Sequence, residues 1–400
     1  MALGAVTAAA LTDHSAHPAA LWVGGVDVIE DPARRYAVPI ETLHVQEMGP
    51  GSVSRMTFTV EDYTLAAVIQ TGAEVRFYNI TNDFAVFTGL VDSVSLQPAF
   101  GDTGRSFDVE AVGVEAYLDW AITTADISFV SPGVLALADM VLSVFAQSSG
   151  TGPLRASVDK TSPTNGSQSG PVSVTGSMGA TPLVPLTIPA GTTLRESIRL
   201  IAATVYSTPA FDSNGVAWAT VDFNYGLRVW TPTPGTPPPV EGPTDYGALT
   251  IVDTGASADV AELLEYAIAD PLIAGILVVG NATSSLVTSS TPGQIAYLSD
   301  STLTTTAGCT AAGYAYLKAQ APTLRASYRR TDYAVQPTIH AMSFVTITDA
   351  RLALSAVGYM ILSIEKTFND SGRENWIISF GGLAPRASSL IRRWTRTIRS

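Results

Sequence analysis

The sequence predicts an α+β, β-rich fold in which two small β-barrel modules flank a mixed middle of helices and strands. Three observations predict it: strand-length segments with apolar period two near both ends of the chain, helical stripes between them, and turn residues at short intervals throughout. At roughly 150 residues per domain, 400 residues hold two to four domains, with no need for small-scaffold staples.

Residues 1–37 read as an N-terminal arm and 38–120 as the first barrel. Its strands are expected at Glu41 to Gln46, Ser52 to Val60, Ala73 to Asn79, Ala85 to Leu96 and Ser106 to Gly113. In the last of these Phe107, Val109, Ala111 and Gly113 alternate with Asp108, Glu110 and Val112, the pattern of a strand covered on one face. Gly49-Pro50-Gly51, Asn82-Asp83 and Gly101 to Gly104 supply the turns.

The period changes over residues 121–235. Ser131-Pro132 offers an N-cap and a proline at the first helical position. Val134, Leu135, Ala138, Val141, Leu142 and Phe145 then repeat as one stripe, so a helix should end near Gln147. Residues 148–191 are dominated by Ser, Thr, Gly and Pro and read as an irregular insertion or exposed hairpins, too polar for core. Thr193-Leu194-Arg195-Glu196 fits a capping box before Leu194, Ile198, Ile201 and Val205, which predicts a second helix. Phe211 to Trp230 returns to strands, with Ser213-Asn214-Gly215 as a hairpin turn.

Six prolines between Thr231 and Pro243 make a stiff linker, and an α+β module spans residues 236–321. Val260, Leu263, Leu264, Ala267 and Ile268 predict a third helix, Ile273 to Val279 a buried strand, and Ala311 to Ala321 a fourth helix. The second barrel, residues 322–385, is clearest in Gly358 to Phe368 and Trp376 to Phe380, joined at Asn369-Asp370-Ser371-Gly372. Met360, Leu362, Ile364 and Phe368 share a face against Trp376, Ile378 and Phe380. Lys366 interrupts that face and implies either a strand edge or a different register. Residues 386–400 form a basic tail.

Charge narrows the function classes. The formal net charge is −13, with 22 basic and 35 acidic residues, whereas binding by phosphate neutralisation needs the opposite sign. Five arginines in residues 386–400 face no acid, so residues 1–385 carry −18 (17 basic less 35 acidic). Arg386, Arg392, Arg393, Trp394, Arg396 and Arg399 are the candidate partner-docking residues, arginines mixed with apolar side chains suited to an acidic surface. Only 14% of residues are charged, against about 25% in an average protein, which points to surface covered by partners. No signal peptide is expected, and the longest strongly apolar run, Leu272 to Gly280, is far short of the roughly 20 residues that span a bilayer.

Catalytic and metal chemistry find few places. Cys309 is the single cysteine, which excludes an intramolecular disulfide and a cysteine-based zinc site; with no basic residue between Asp300 and Lys318 it reads as a packing residue. His14 and His17 have a metal-compatible spacing but no partner ligand nearby, and His340 reads as a structural histidine within a strand. Glu30-Asp31 and Glu61-Asp62 sit beside turns as solvated carboxylates, and the Asn-x-Thr/Ser sites at Asn79, Asn165 and Asn281 are no more than a Thr- and Ser-rich chain produces by chance. No nucleophile elbow, phosphate-binding loop, zincin helix or dinucleotide fingerprint occurs. No cofactor, no metal and no enzymatic activity are expected.

The order of features resembles the hub proteins of tailed-bacteriophage tail tips and baseplates. The resemblance rests on Phe77-Tyr78, on Phe87-Thr88-Gly89-Leu90-Val91-Asp92-Ser93-Val94, and on the strand Phe107 to Gly113 running into Val114-Glu115-Ala116-Tyr117-Leu118-Asp119. Thr193 to Ile198, the helix Ala311 to Ala321 and Gly358 to Ile364 follow in the family's order, so residues 38–385 are covered. The chain departs from the pattern at Thr348-Asp349-Ala350, where a Gly-Asp turn is usual.

The resemblance implies a homotrimeric ring of pseudo-sixfold shape, two barrels per chain, joining a sixfold tail to a threefold tip. Its partners would be a distal tail ring protein, a tape-measure protein and tail-tip spike or fibre proteins, with DNA only in transit through an acid-lined channel that repels phosphate. Its place would be the virion tail tip, after synthesis in the host cytoplasm. The alternative is a trimeric receptor-binding or adhesive tail protein recognising host surface glycan, with which six Trp and fourteen Tyr are compatible. A cell-wall hydrolase is a third class, disfavoured by the missing nucleophile and metal set.

Overall fold

Alternating polarity becomes alternating burial from Asp108 to Ala111, where Val109 and Ala111 are buried and Asp108 and Glu110 half-buried, and Val112 and Gly113 beyond them are buried as well. This computed structural model describes residues 19–31, 34–35, 38–49, 52–61, 65, 67–79, 84–97, 106–130, 137–154, 174–175, 185–203, 218–221, 225–230, 248–252, 261–269, 273–288, 293–301, 303–319, 323–333, 341, 344–349, 354–368 and 374–381.

The amino-terminal strands are β1 (Ala19–Val23), β2 (Val26–Asp27), β3 (His44–Met48), β4 (Arg55–Val60), β5 (Glu74–Asn79), β6 (Phe84–Gln97) and β7 (Ser106–Gly113). They pair antiparallel in the order β3-β4-β7-β6-β5-β1-β2. The fourteen-residue β6 serves two neighbours, pairing through its first half with β5 and through its second with β7, and irregularities at Phe77/Tyr78 and Val91/Ser93 mark the change. Gly89 lies at that crossing. A Cβ there would meet the Val112 carbonyl at 2.3 Å and the Phe87 ring at 2.7 Å, so the strand crossing requires glycine.

The middle holds helices α1 (Leu137–Ala146) and α2 (Leu194–Ala203) and the hairpin of β8 (Trp218–Val221) and β9 (Leu227–Trp230). The Thr193 hydroxyl caps α2 by accepting the Glu196 N–H at 3.2 Å, as the capping box predicts. Met140, Val141 and Val144 of α1 pack with Leu194, Ile198 and Ile201 of α2 over Leu227 and Val229. The Ser- and Thr-rich insertion is not wholly outside this core. Leu154, Leu186 and Ile188 are buried in it, and Leu186–Ile188 pairs with Ile127–Phe129, so three apolar residues anchor an otherwise polar stretch. Residues 155–173 and 176–184, the Ser213 turn and the Pro-rich linker lie outside the described residues.

Beyond these come β10 (Ala248–Val252), β11 (Ala261–Ala269), β12 (Ile273–Val279), β13 (Ser284–Thr288), β14 (Gln294–Ser299) and α3 (Thr306–Ala319). The chain closes with β15 (Thr323–Tyr333), β16 (Phe344–Asp349), β17 (Leu354–Phe368) and β18 (Glu374–Gly381). The helix expected over Val260 to Ile268 is instead the strand β11, antiparallel to β15. Its register shifts between Leu263 and Glu265, which breaks the period-two pattern and leaves a spacing that mimics a helical stripe. Glu262 stands opposite Arg329 in that ladder, a pairing no local propensity reports.

The two strand-rich regions form one sheet. β17 pairs with β16, β18 and β3, and its contact with β3 sets Ser363 to Thr367 against Met48 to His44. The result is a 13-stranded sheet running from β11 through β15, β18, β17 and β3 to β2, with β16 and β10 branching from β17. Phe368 leaves the carboxy-terminal strands to enter the amino-terminal core, its ring edge-on to Phe77 at 5.3 Å. The β-rich α+β class is as expected; closure of either strand set into a barrel is not seen among the described residues, where the order stays open at β11 and β2.

Candidate functional site

The β3/β17 seam gathers the polar side chains that the apolar alternation rejects. Leu362 sits at a register shift between Ile361 and Ser363, so Ile361, Ile364, Lys366 and Phe368 are the buried positions. Lys366 is thus neither at a sheet edge nor misregistered. It lies in the core, 1% exposed, its ammonium paired with the buried carboxylate of Glu47 and 5.5 Å from the centre of the Trp376 ring. The Ala341 N–H donates to the second Glu47 oxygen at 3.1 Å, and the Trp376 indole N–H donates to Glu374. Desolvation makes an unpaired charge here prohibitive, so the pair specifies which strand meets which. On the half-exposed side of the seam His44 meets Glu365 at 3.0 Å.

A second junction holds α2 to the turn after β7. Arg195 forks onto both carboxylate oxygens of Asp119, at 2.8 and 3.0 Å, and donates to the Glu115 carbonyl at 3.0 Å. This explains why an acid follows Leu118, itself buried in the middle core. The buried Glu115 carboxylate accepts from the Ser54 hydroxyl at 2.8 Å, and its other oxygen has no hydrogen-bond partner. Burial raises the Glu115 carboxyl above its ordinary range; its backbone, Ser54 and Arg195 oppose the shift and Glu47 adds to it. A third junction joins the first sheet to the β8/β9 hairpin, where Glu74 accepts from Arg76 at 2.8 Å and from the Tyr225 hydroxyl at 2.7 Å. Tyr225 turns the hairpin at φ 64°.

These buried and half-buried acids are each tied to a structural partner, and they fasten neighbouring elements together. Cys309 is buried against Ile276 and Val278, and desolvation raises its thiol pKa, the opposite of an activated nucleophile. Among the described residues no group of three or more His, Cys, Asp or Glu is placed to hold a metal. No helix among the described residues is long and apolar enough to cross a membrane. His14, His17, His340, the Gly101 to Gly104 turn and the candidate docking residues Arg386, Arg392, Arg393, Trp394, Arg396 and Arg399 all lie outside the described residues. The Glu47–Lys366 pair went unread because the strand holding Glu47 was expected to end at Gln46. The signal was present: a lysine among apolar strand positions demands an acid on a neighbouring strand.

No protein-family model matches the sequence, and no curated protein matches it. Solved structures do match. The 43 kDa tail protein of prophage MuSo2 from Shewanella oneidensis is 16% identical with a TM-score of 0.57, over 92% of this chain and 98% of that one. A tail protein from Neisseria meningitidis MC58 is 12% identical with a TM-score of 0.58, over the same shares. Prophage tail protein gp18 from Listeria monocytogenes EGD-e is 11% identical with a TM-score of 0.53, over 96% and 100%. The fold is therefore that of solved phage tail proteins along more than nine-tenths of the chain.

Proposed function

We propose that this chain, sharing its fold with phage tail proteins over more than nine-tenths of its length, is a structural hub of a phage tail tip or baseplate. In this reading three copies form a ring that joins a sixfold tail to a threefold tip, and tape-measure protein and DNA pass through its channel. The observation that carries the proposal is the fusion of two strand sets across the β3/β17 seam. Two strand sets per chain, locked together by a buried ion pair, would supply three copies with six wall segments. The charge sparsity of the chain fits a protein whose faces are covered by distal tail, spike or fibre proteins. Arg386, Arg392, Arg393, Trp394, Arg396 and Arg399 would dock an acidic neighbour, and the acid-biased remainder would let DNA slide past without adhering.

The test is light-scattering mass of the purified protein with electron-microscopy class averages from the same peak. A threefold ring of three chain masses with an open centre is the expected result. A compact monomer that binds host surface glycans would overturn the hub reading in favour of an adhesin.

A further inference from the structure

We propose that copies of this chain associate head to tail, the outer face of the β12–β14 sheet of one copy seating on the Trp120–Val130 segment of the next. This rests on the hub reading above and names the surface its ring would use.

Helix α3 covers one face of the three-stranded sheet, over Ile276, Val278, Val287 and Leu298. Gly313 allows the close approach, since a Cβ there would lie 2.6 Å from Val287. The other face has no cover among the described residues. Leu277 stands between Leu286 and Tyr297 in register, and Gly275 between Thr288 and Ile295. Leu286, Ile295 and Tyr297 are 58, 55 and 67% exposed. The outer edges of β13 and β14 pair with no described strand, and neither strand contains a lysine or proline to block pairing.

Charge decides the occupant. Each copy carries −13, so two copies repel least where they meet with the fewest acids. Between Pro271 and Ser299 there is no Asp, Glu, Lys, Arg or His. Among the described residues the other large apolar side chains left exposed fall on one segment of the middle region: Trp120, Ile122 and Val130, at 47, 42 and 74%; Leu264 stands apart from both sets. From Trp120 to Val130 the one acid is Asp126, already accepting the Ala190 N–H at 2.8 Å. Interface cores are depleted of charge and enriched in Trp and Tyr; Tyr297 stands exposed in one patch and Trp120 in the other. A ring of identical copies needs two unlike faces per chain, because an isologous patch closes at two copies. The molecule has two unlike faces of low charge, one with no charged side chain and one with Asp126 alone.

Mass photometry and light scattering on the full chain and on Leu286→Asp and Val130→Asp test this. Both side chains are exposed, and unchanged circular dichroism and melting temperature verify that the variants fold. The wild type is expected as a trimer that holds or tightens as salt rises, and each variant alone as a monomer, with association at least tenfold weaker. An equimolar mixture of the two variants should give a species of two chain masses and no ring, since it retains one intact pairing of unlike faces. Trimeric variants would overturn the surface assignment and leave the hub reading standing. A wild type monomeric at every concentration would overturn self-association and remove the ring with it. A ring that weakens steeply with salt would also overturn the proposal, since ion pairs would then hold it.

Discussion

Lys366 shows how much one residue can report. An ammonium placed among Ile364, Phe368 and Trp376 is tolerable only because Glu47 reaches it from the neighbouring strand. Removing one partner leaves an uncompensated buried charge, so Lys366→Met is expected to cost about 3–5 kcal/mol, measured by denaturant unfolding. Adding Glu47→Gln should restore most of that loss, because the amide oxygen still accepts from Ala341 and no charge remains. If the double variant were as unstable as the single, the pair would not be what the seam depends on. Glu115 makes the converse case. Its raised pKa means that the folded chain keeps a proton the unfolded chain releases, so its stabilising effect is present at low pH and is lost as pH rises through the folded pKa. Glu115→Gln should therefore match the wild type near about pH 4 and gain on it in melting temperature as pH approaches about 8; a pH-independent difference would contradict this.

At the scale of elements, helices and strands with local signals were legible and those fixed by distant partners were not. Thr193 and Glu196 announce α2, and alternation announces β7 and β18, because capping and pleating act within a few residues. The strand β11 carries a helical spacing in sequence because its register shift is set against β15, some 60 residues further on. The ion pair of the seam was half legible: the misfit of Lys366 was visible, but its partner lies 319 residues away. Phe368 belongs to the same class. Sequence placed it on a core-facing position, and the structure shows that the core is that of the amino-terminal strands. Phe368→Ala should cost about 3–5 kcal/mol by leaving a cavity beside Phe77. The measurement that checks this is hydrogen exchange, in which protection should fall in β3 and β5 as well as in β17; a loss confined to β17 would mean that the two strand sets are independent.

For the whole molecule, uneven charge is the most informative property. The +5 of residues 386–400 is set against −18 elsewhere, and the region from Pro271 to Ser299 carries no charge at all. Such segregation would let one part of the chain attract unlike neighbours and another accept neutral ones. Deleting residues 386–400 should leave the folded protein and its self-association unchanged yet abolish incorporation into particles, assayed by complementation of a deletion phage and by the protein content of the particles. Normal incorporation would show that the arginines are not a docking element.

The seam also dictates an order of events during synthesis. His44 to Met48 leave the ribosome early, but their partners on one side, Ser363 to Thr367, are made some 320 residues later. At about 5–20 residues per second, that edge waits roughly 15–60 s unpaired. A chain released before Phe368 lacks both the strand that covers the edge and the ring that fills the core beside Phe77. Fragments are thus left with an open, aggregation-prone edge, and the sheet is completed only in chains translated through their final strands.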